Sequence, residues 1–142
     1  SIDHKPDLPS EKRRIEKANG YVEESRVNGM LALSRALGDF EYKNNPLLKP
    51  QDQIITACPE LIVEKVSPDC EFIVCACDGI WDCLTSQDCV NVVNEKMKKK
   101  KGKDSLVTVV EELLDEICAT DVATSQGIGC DNMTVIVIEL KK

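Results

Sequence analysis

Features that would place this chain at a membrane are missing from its 142 residues. No run reaches the roughly 18 uninterrupted apolar residues of a membrane-spanning helix, and the opening stretch SIDHKPDLPSEKRR lacks the apolar centre of a signal peptide. Positive charge is also scarce, because 18 Lys and Arg stand against 25 Asp and Glu, for a net charge of −7. Nucleic acid and anionic membranes repel such a chain. We therefore expect neither a nucleic-acid partner nor a membrane partner.

Histidine is nearly absent, since His4 is the only one, and the usual mixed Cys and His zinc sites are therefore not expected. Eight cysteines are present, but Cys75 and Cys77 have a single residue between them, which is not zinc-binding spacing. Those two, with Cys83 and Cys89, lie in apolar runs, which disfavours a disulfide scaffold. We expect reduced, buried thiols and a location inside the cell, in the cytoplasm, the nucleus or both.

The first part of the chain is expected to be compact and rich in loops. A polar helix is predicted at 10–19, with Glu11 favourable in its first turn. The residues RVNG at 26–29 are typical of a turn. Short strands are predicted at 53–56 and 61–66, separated by a Cys-Pro turn.

The second part alternates apolar runs with helical patterns. The run at 72–77 is continuously apolar, as in a strand that is buried on both faces, and a last strand is predicted at 133–140. Thr85, followed three residues later by Asp88, resembles a capping box at the start of a helix. Apolar residues at helical spacing predict two amphipathic helices, at 86–98 and 105–119. This order favours mixed layers of helices and strands over a regular βαβ repeat.

Two carboxylates flank the apolar strands. Asp78 directly follows one strand, and Asp131 precedes the last one. If these strands are antiparallel neighbours, both carboxylates lie at one edge of the sheet, an arrangement that suits a hard divalent cation such as Mg²⁺ or Mn²⁺. A plain Asp-Gly turn and an Asx turn explain the same residues without a metal. Spacing alone leaves both interpretations open.

Five short blocks stand in the order seen in the type 2C protein phosphatases, a metal-dependent serine/threonine family that this chain resembles along nearly its whole length. They are DHKP at 3–6, RVNG at 26–29, LSRALGD at 33–39, CDGIWD at 77–82 and DNMT at 131–134. The resemblance implies an α+β fold, part of a two-sheet antiparallel β-sandwich flanked by helices in four αββα layers. Residues 1–142 would form the C-terminal portion of one catalytic domain, with a flap-like segment at about 10–39 and a sheet and helix core at about 53–142.

The resemblance also implies a binuclear Mn²⁺ or Mg²⁺ site, with Asp78 and Asp131 as metal ligands. A water bridging the two metals would attack the phosphorus of phosphoserine or phosphothreonine directly, without a phospho-enzyme. Asp82 and Asn132 are candidates for a position around these ligands or beside a third metal. For Asp82, a capping role in the following turn is the alternative.

Arg26 and Arg35 lie in the flap-like segment that the resemblance implies. Because a guanidinium binds phosphate in a bidentate manner, both are candidates to meet phosphate or acidic groups of the substrate. The alternative for each is an ion pair with a local carboxylate that holds the loop in place.

An N-terminal half of the family's catalytic domain has no counterpart in this sequence. Its Asp-Gly-His-Gly block, its Glu/Asp pair and its phosphate-binding Arg are all absent. We expect this segment to be inactive alone and to hold none of the directly catalytic residues. Its partners would be phosphorylated protein substrates and the upstream half of the same domain, with self-association through exposed sheet edges as a further expectation. The alternative is a pseudophosphatase-like interaction module without catalysis.

Overall fold

The structure is a computed structural model and describes residues 1–99 and 105–140. The chain divides into two compact units, Ser1–Glu64 and Lys65–Lys142. Within the described residues, each unit contains one two-stranded antiparallel sheet and one buried apolar cluster. Helices and antiparallel strands in this combination confirm the α+β class.

The first unit is organised around helix α1 (Pro9–Lys17) and a hairpin of β1 (Val22–Glu23) and β2 (Arg26–Val27). Two 3₁₀ turns follow, at Phe40–Tyr42 and Pro50–Asp52. The buried cluster of the unit consists of Ile15 from α1, Val27 from β2, Tyr42 from the first 3₁₀ turn, and Ile55, which lies three residues after the second.

Helix α1 ends two residues earlier than the sequence predicts. Asn19 adopts a left-handed conformation with φ of 67°, and the N–H of Gly20 donates to the carbonyl of Ile15 at 2.9 Å. This is a common way to end a helix, because the left-handed residue turns the chain back onto the last helical carbonyls.

Two strand predictions for this part of the chain are wrong, and one turn prediction is correct only in its second half. Residues 26 and 27 form strand β2, whereas Asn28 and Gly29 lie in the predicted turn, with φ of 52° and 70°. A further turn at Glu24 and Ser25, both with positive φ, closes the hairpin of β1 and β2. At 53–56 there is no strand, since Thr56 makes only an isolated bridge to Arg35. The segment 61–66 is also not a strand, and its residues are exposed. A strand needs a neighbour for its backbone hydrogen bonds, and no described strand lies beside this segment.

The second unit packs helices on one face of a strand pair. Strand β3 (Phe72–Ala76) pairs with β4 (Val135–Glu139) in antiparallel register, from Phe72 opposite Glu139 to Ala76 opposite Val135. Between them along the chain come α2 (Asp78–Trp81), α3 (Ser86–Lys99) and α4 (Ser105–Ile117). The fully buried centre consists of Ile80, Cys89, Val93, Val109 and Leu113.

The start of α3 shows one half of the predicted capping box, since Thr85 caps the helix while the Asp88 carboxylate bonds the Thr85 hydroxyl and not its N–H. The N–H of Asp88 donates to Thr85 Oγ1 at 3.2 Å, and the Thr85 hydroxyl donates to Asp88 Oδ2 at 2.6 Å. These bonds satisfy a donor of the first turn that has no partner within the helix. None of the helices in the described ranges is both long enough and apolar enough to cross a bilayer.

The prediction that β3 is buried on both faces is wrong. Phe72, Val74 and Ala76 pack toward the helices, whereas Ile73 alternates to the other face. There it pairs with Ile138, and each is 44% exposed. Side chains alternate along a strand, so burying both faces requires a second layer.

The cysteines are reduced, as expected, but most are not buried. All eight thiols are free. Only Cys89 is fully buried, and burial raises the pKa of its thiol. Cys75 is exposed because it shares the outer face of β3, and Cys77 and Cys83 are half-buried.

Candidate metal centre at the strand ends

The pairing of β3 with β4 brings the end of one strand beside the start of the other. Beyond the last register pair, the N–H of Cys77 donates to the carbonyl of Thr134 at 3.1 Å, and the N–H of Thr134 donates to Cys77 Sγ at 3.2 Å. Asp78 directly follows Cys77, and Asp131 lies three residues before Thr134. The two carboxylates therefore extend from the same edge of the strand pair.

Gly79 allows an unusually close approach between the two chain segments at this edge, the start of α2 and the segment that leads into β4. A Cβ at this position would lie 2.3 Å from the carbonyl oxygen of Asn132, a distance that real Cβ atoms do not tolerate. The absence of a side chain therefore lets the first turn of α2 rest directly on the backbone beside Asp131.

A second glycine, Gly129, fixes the segment that leads into β4. Gly129 has a φ of +74°, and its carbonyl accepts a hydrogen bond from the N–H of Ala119 at 2.9 Å, just beyond the end of α4. A Cβ here would lie 2.4 Å from the carbonyl oxygen of Ile117. The segment that leads to Asp131 is thus anchored to the C-terminal end of α4.

Each carboxylate uses one oxygen locally. Asp78 Oδ1 accepts from the N–H of Gly79 at 3.1 Å, and Asp131 Oδ1 accepts from the N–H of Asn132 at 2.7 Å. In an Asx turn the bond would reach the second residue along, so neither bond is of that kind. Both aspartates are exposed, and the second oxygen of each has no hydrogen bond within the described part of the chain.

This donor set fits a hard divalent cation in kind, because Mg²⁺ and Mn²⁺ prefer carboxylate oxygens and retain several waters. It does not complete a site. Within residues 1–99 and 105–140, no group of three or more Asp, Glu, His or Cys converges to hold a metal ion.

Asp82 and Asn132 both contact this edge through the backbone. The N–H of Asp82 donates to the carbonyl of Asp78 at 2.7 Å, so Asp82 lies one helical turn after Asp78 and ends α2. The carbonyl of Asn132 accepts from Cys77 Sγ at 3.4 Å. Their assignment to a position around the metal ligands stays a prediction.

Arg35 is held by a buried carboxylate. Its Nε and Nη2 donate to the two oxygens of Glu11 at 3.0 and 2.7 Å, and its Nη1 donates to the carbonyl of Cys58 at 3.0 Å. The hydrogen bond to Glu11 raises the pKa of Arg35 above its usual value. This is the local ion pair that the sequence leaves open as an alternative to substrate contact.

Glu11 is the centre of a charged network in the first unit. Only 1% of it is exposed, and it also accepts from Arg14 at 2.5 Å and from the Ser34 hydroxyl at 2.7 Å. Burial would raise the pKa of this carboxyl, but hydrogen bonds from Arg35, Ser34 and Arg14 outweigh that effect and lower the pKa to about 2. The only sequence signal for this network is the three-residue spacing of Glu11 and Arg14.

Arg26 remains exposed on the hairpin. Its Nη1 donates to the carbonyl of Met30 at 2.7 Å, and it forms no ion pair with a carboxylate of the described residues. Of the two arginines, Arg26 is the one whose guanidinium faces solvent with its charge uncompensated.

The family model described as "Protein phosphatase 2C" matches residues 1–125 of this chain. The chain is 50% identical over 143 residues to protein phosphatase 2C homolog 2 of Saccharomyces cerevisiae, covering 100% of this chain and 30% of that protein. It is 51% identical over 140 residues to a probable protein phosphatase 2C of Caenorhabditis elegans, covering 99% and 38%. The crystal structure of a phosphatase from a pathogenic strain of Toxoplasma gondii superposes with a TM-score of 0.75 at 30% identity, covering 100% and 43%. The chain thus spans about a third of the length of the curated relatives it matches.

Proposed function

Because the chain belongs to the protein phosphatase 2C family, we propose that the protein containing it is a serine/threonine protein phosphatase that depends on Mn²⁺ or Mg²⁺. Its substrates would be phosphoserine and phosphothreonine side chains of proteins. Water would attack the phosphorus directly, and no phospho-enzyme would form.

The observation that carries this proposal is the pairing of β3 with β4, which sets Asp78 and Asp131 at one edge. Each aspartate has one oxygen without a hydrogen bond within the described residues, and in our proposal these oxygens hold one side of a binuclear site. When bound, a metal pair supplies positive charge that makes a water easier to deprotonate and that stabilises the phosphoryl oxygens.

The remaining candidates would orient the site and its substrate. In our proposal Asp82 and Asn132, whose backbones contact this edge, would restrict the positions of the two carboxylates. The exposed guanidinium of Arg26 can pair with a phosphate or acidic group of the substrate protein. Arg35, which Glu11 holds on two sides, would support the flap-like segment 10–39 rather than bind the substrate itself.

We propose that this segment is inactive by itself and completes a single catalytic domain with an upstream half. Two carboxylates cannot fill the octahedral shell that Mg²⁺ and Mn²⁺ prefer. The outer face of β3 and β4 also lacks a covering layer, with Ile136 57% exposed, and the apolar segment 61–66 has no partner strand among the described residues. An upstream half would cover that face, pair that segment and supply the missing ligands.

The free thiols support a location inside the cell, in the cytoplasm or the nucleus, where disulfides are rare. The partners in this proposal are phosphorylated proteins. The acidic charge of the chain, −7, argues against a general attraction to nucleic acid or to anionic membranes.

Hydrolysis of a phosphothreonine peptide with Mn²⁺ tests the proposal, with this chain alone and with the chain extended by its upstream half. We expect activity only in the extended protein, and we expect Asp78→Asn and Asp131→Asn to abolish it. Asp115→Asn is the matched control, because Asp115 is exposed on α4. An extended protein that neither hydrolyses the peptide nor binds Mn²⁺ would instead support the pseudophosphatase-like interaction module.

A further inference from the structure

A cleft of about 410 Å³ lies beside α1 in the first unit. Four of its wall residues come from the helix, at positions 10, 13, 14 and 17, and this spacing places them on one face of α1. We refer to it as the α1 cleft, and its lining consists of Ser10, Arg13, Arg14, Lys17, Leu48 and Asp52.

Two cations of the α1 cleft are not engaged by any carboxylate of the described residues. Arg13 donates its Nε to the carbonyl of Pro9 at 2.9 Å, and Lys17 has no hydrogen bond or ion pair; neither residue pairs with an acid in the described ranges. Arg14 differs, because its guanidinium is committed to Glu11 at 2.5 Å. Although the chain carries a net charge of −7, these two cations lie together in one cleft, and this local positive charge favours an anionic ligand.

The rest of the lining favours a peptide over a bare anion. Leu48 is half-buried and offers an apolar surface, to which the methylene stems of the two cations add. Asp52 contributes a carboxylate, which can accept a hydrogen bond from a peptide N–H. Cationic, apolar and acceptor groups together match an acidic side chain, an apolar side chain and a backbone donor.

We propose that the α1 cleft docks a short acidic segment of a partner protein. A Glu or Asp of that segment pairs with Arg13 and Lys17, and a neighbouring apolar side chain lies on Leu48. The cleft volume suits a few side chains, which is the scale of a short linear segment. This docking goes beyond the proposed phosphatase activity and does not depend on it.

Fluorescence anisotropy of a labelled peptide that alternates glutamate and leucine tests the proposal on the chain extended by its upstream half. We expect Lys17→Glu to weaken binding about fivefold, the upper end of the range for one exposed charge contact. Lys12→Glu is the matched control, because it makes the same charge change on the same helix but lies outside the cleft, and we expect less than a twofold change. If Lys17→Glu shows no cooperative thermal unfolding transition and is therefore not folded, Lys17→Gln replaces it.

A second pair of variants tests the apolar contact. Leu48→Asn is expected to weaken binding about threefold or more, whereas Leu47→Asn is not, since Leu47 is 91% exposed and does not line the cleft. The proposal is overturned if Lys17→Glu and Lys12→Glu weaken binding equally. It is also overturned if a peptide with lysine in place of each glutamate binds with the same affinity. Absence of binding to the unsubstituted protein, or displacement of the peptide by an equal concentration of inorganic phosphate, overturns it as well.

Discussion

Gly79 and Asn132 approach so closely that no other residue fits at position 79 without movement of the backbone. A Cβ would meet the carbonyl oxygen of Asn132 at 2.3 Å. The two residues flank the proposed metal ligands, one beside Asp78 and the other beside Asp131. The spacing of these carboxylates therefore depends on a contact between two stretches of main chain that are distant in sequence.

Substituting Gly79 by alanine is expected to lower the free energy of unfolding by about 2–3 kcal/mol, because the added methyl group would push α2 away from the backbone at Asn132. Gly38→Ala is the control. Gly38 has a φ of +82°, and a Cβ added there would meet no atom within 4 Å, so this variant reports backbone strain alone, at about 1 kcal/mol. Urea denaturation measures both, and equal losses would show that packing against Asn132 carries no special cost.

The Glu11 network predicts a large effect of removing one buried charge. Glu11→Gln leaves Arg35 and Arg14 without their carboxylate, and we expect a loss of about 3–5 kcal/mol. Glu16→Gln is the control, because Glu16 is exposed on the same helix and its loss is expected to stay within about 0.5 kcal/mol. Comparable losses for the two variants, measured by chemical denaturation, would contradict a structural role for this network.

The same carboxyl predicts how stability depends on pH. Its pKa is lowered from 4.5 to about 2 in the folded chain, so folding favours the ionised form. The resulting stabilisation is fully present above about pH 4.5 and is lost as the pH falls toward 2. Unfolding free energies of the parent chain and of Glu11→Gln, measured from pH 7 down to 3, are expected to converge in the acid range. Parallel curves for the two proteins would assign the acid sensitivity to other groups.

Metal binding by this chain alone is expected to be weak, with a dissociation constant above about 10⁻⁴ M for Mn²⁺, because two carboxylates leave most of the coordination shell to water. Isothermal titration calorimetry measures it directly. Micromolar binding that disappears in Asp78→Asn but persists in Asp115→Asn would show that the segment already forms a fuller site.

Self-association of this chain is expected to run through the uncovered face of β3 and β4. Ile138→Thr removes apolar surface from that face and is expected to reduce the associated fraction seen by light scattering. Val107→Thr makes a similar change on α4, where the valine is 60% exposed, and is expected to have little effect. A clean monomer of the unsubstituted chain at high concentration would rule this association out.

Local patterns were sufficient to predict α3 and α4 of the second unit but not the short helix α2, whose first residues Asp78 and Gly79 are typical of a turn. The cap at Thr85 and the apolar spacing along α3 and α4 act within a few residues, so the sequence contains all that these elements require. The sequence did not predict that β3 pairs with β4, because no local signal determines which strands become neighbours. It showed only what would follow if they did. The family resemblance, which relatives aligned along nearly the whole chain confirm, is what implied that Asp78 and Asp131 belong to one site.

Predictions failed where the deciding partner is distant. Segment 61–66 has the composition of a strand, but strand formation depends on a neighbour, and none is present in the described residues. Strand formation there is decided by a tertiary contact rather than by local propensity. The ion pair of Arg35 was one of the two alternatives that the sequence left open, but its partner could not be named, because Glu11 lies 24 residues away and no helical or strand period connects the two.

The hydrogen bond between Ala119 and Gly129 closes the loop 120–128 at its base. A loop that is closed in this way can change in length and sequence while its two ends stay where they are, because lengthening a loop costs little once its ends are joined. Insertions and divergent sequences should therefore accumulate between these two residues among relatives, without displacing Asp131. Gly129, at the base of the loop, thus separates residues 120–128, which can diverge in sequence, from the segment whose position sets Asp131.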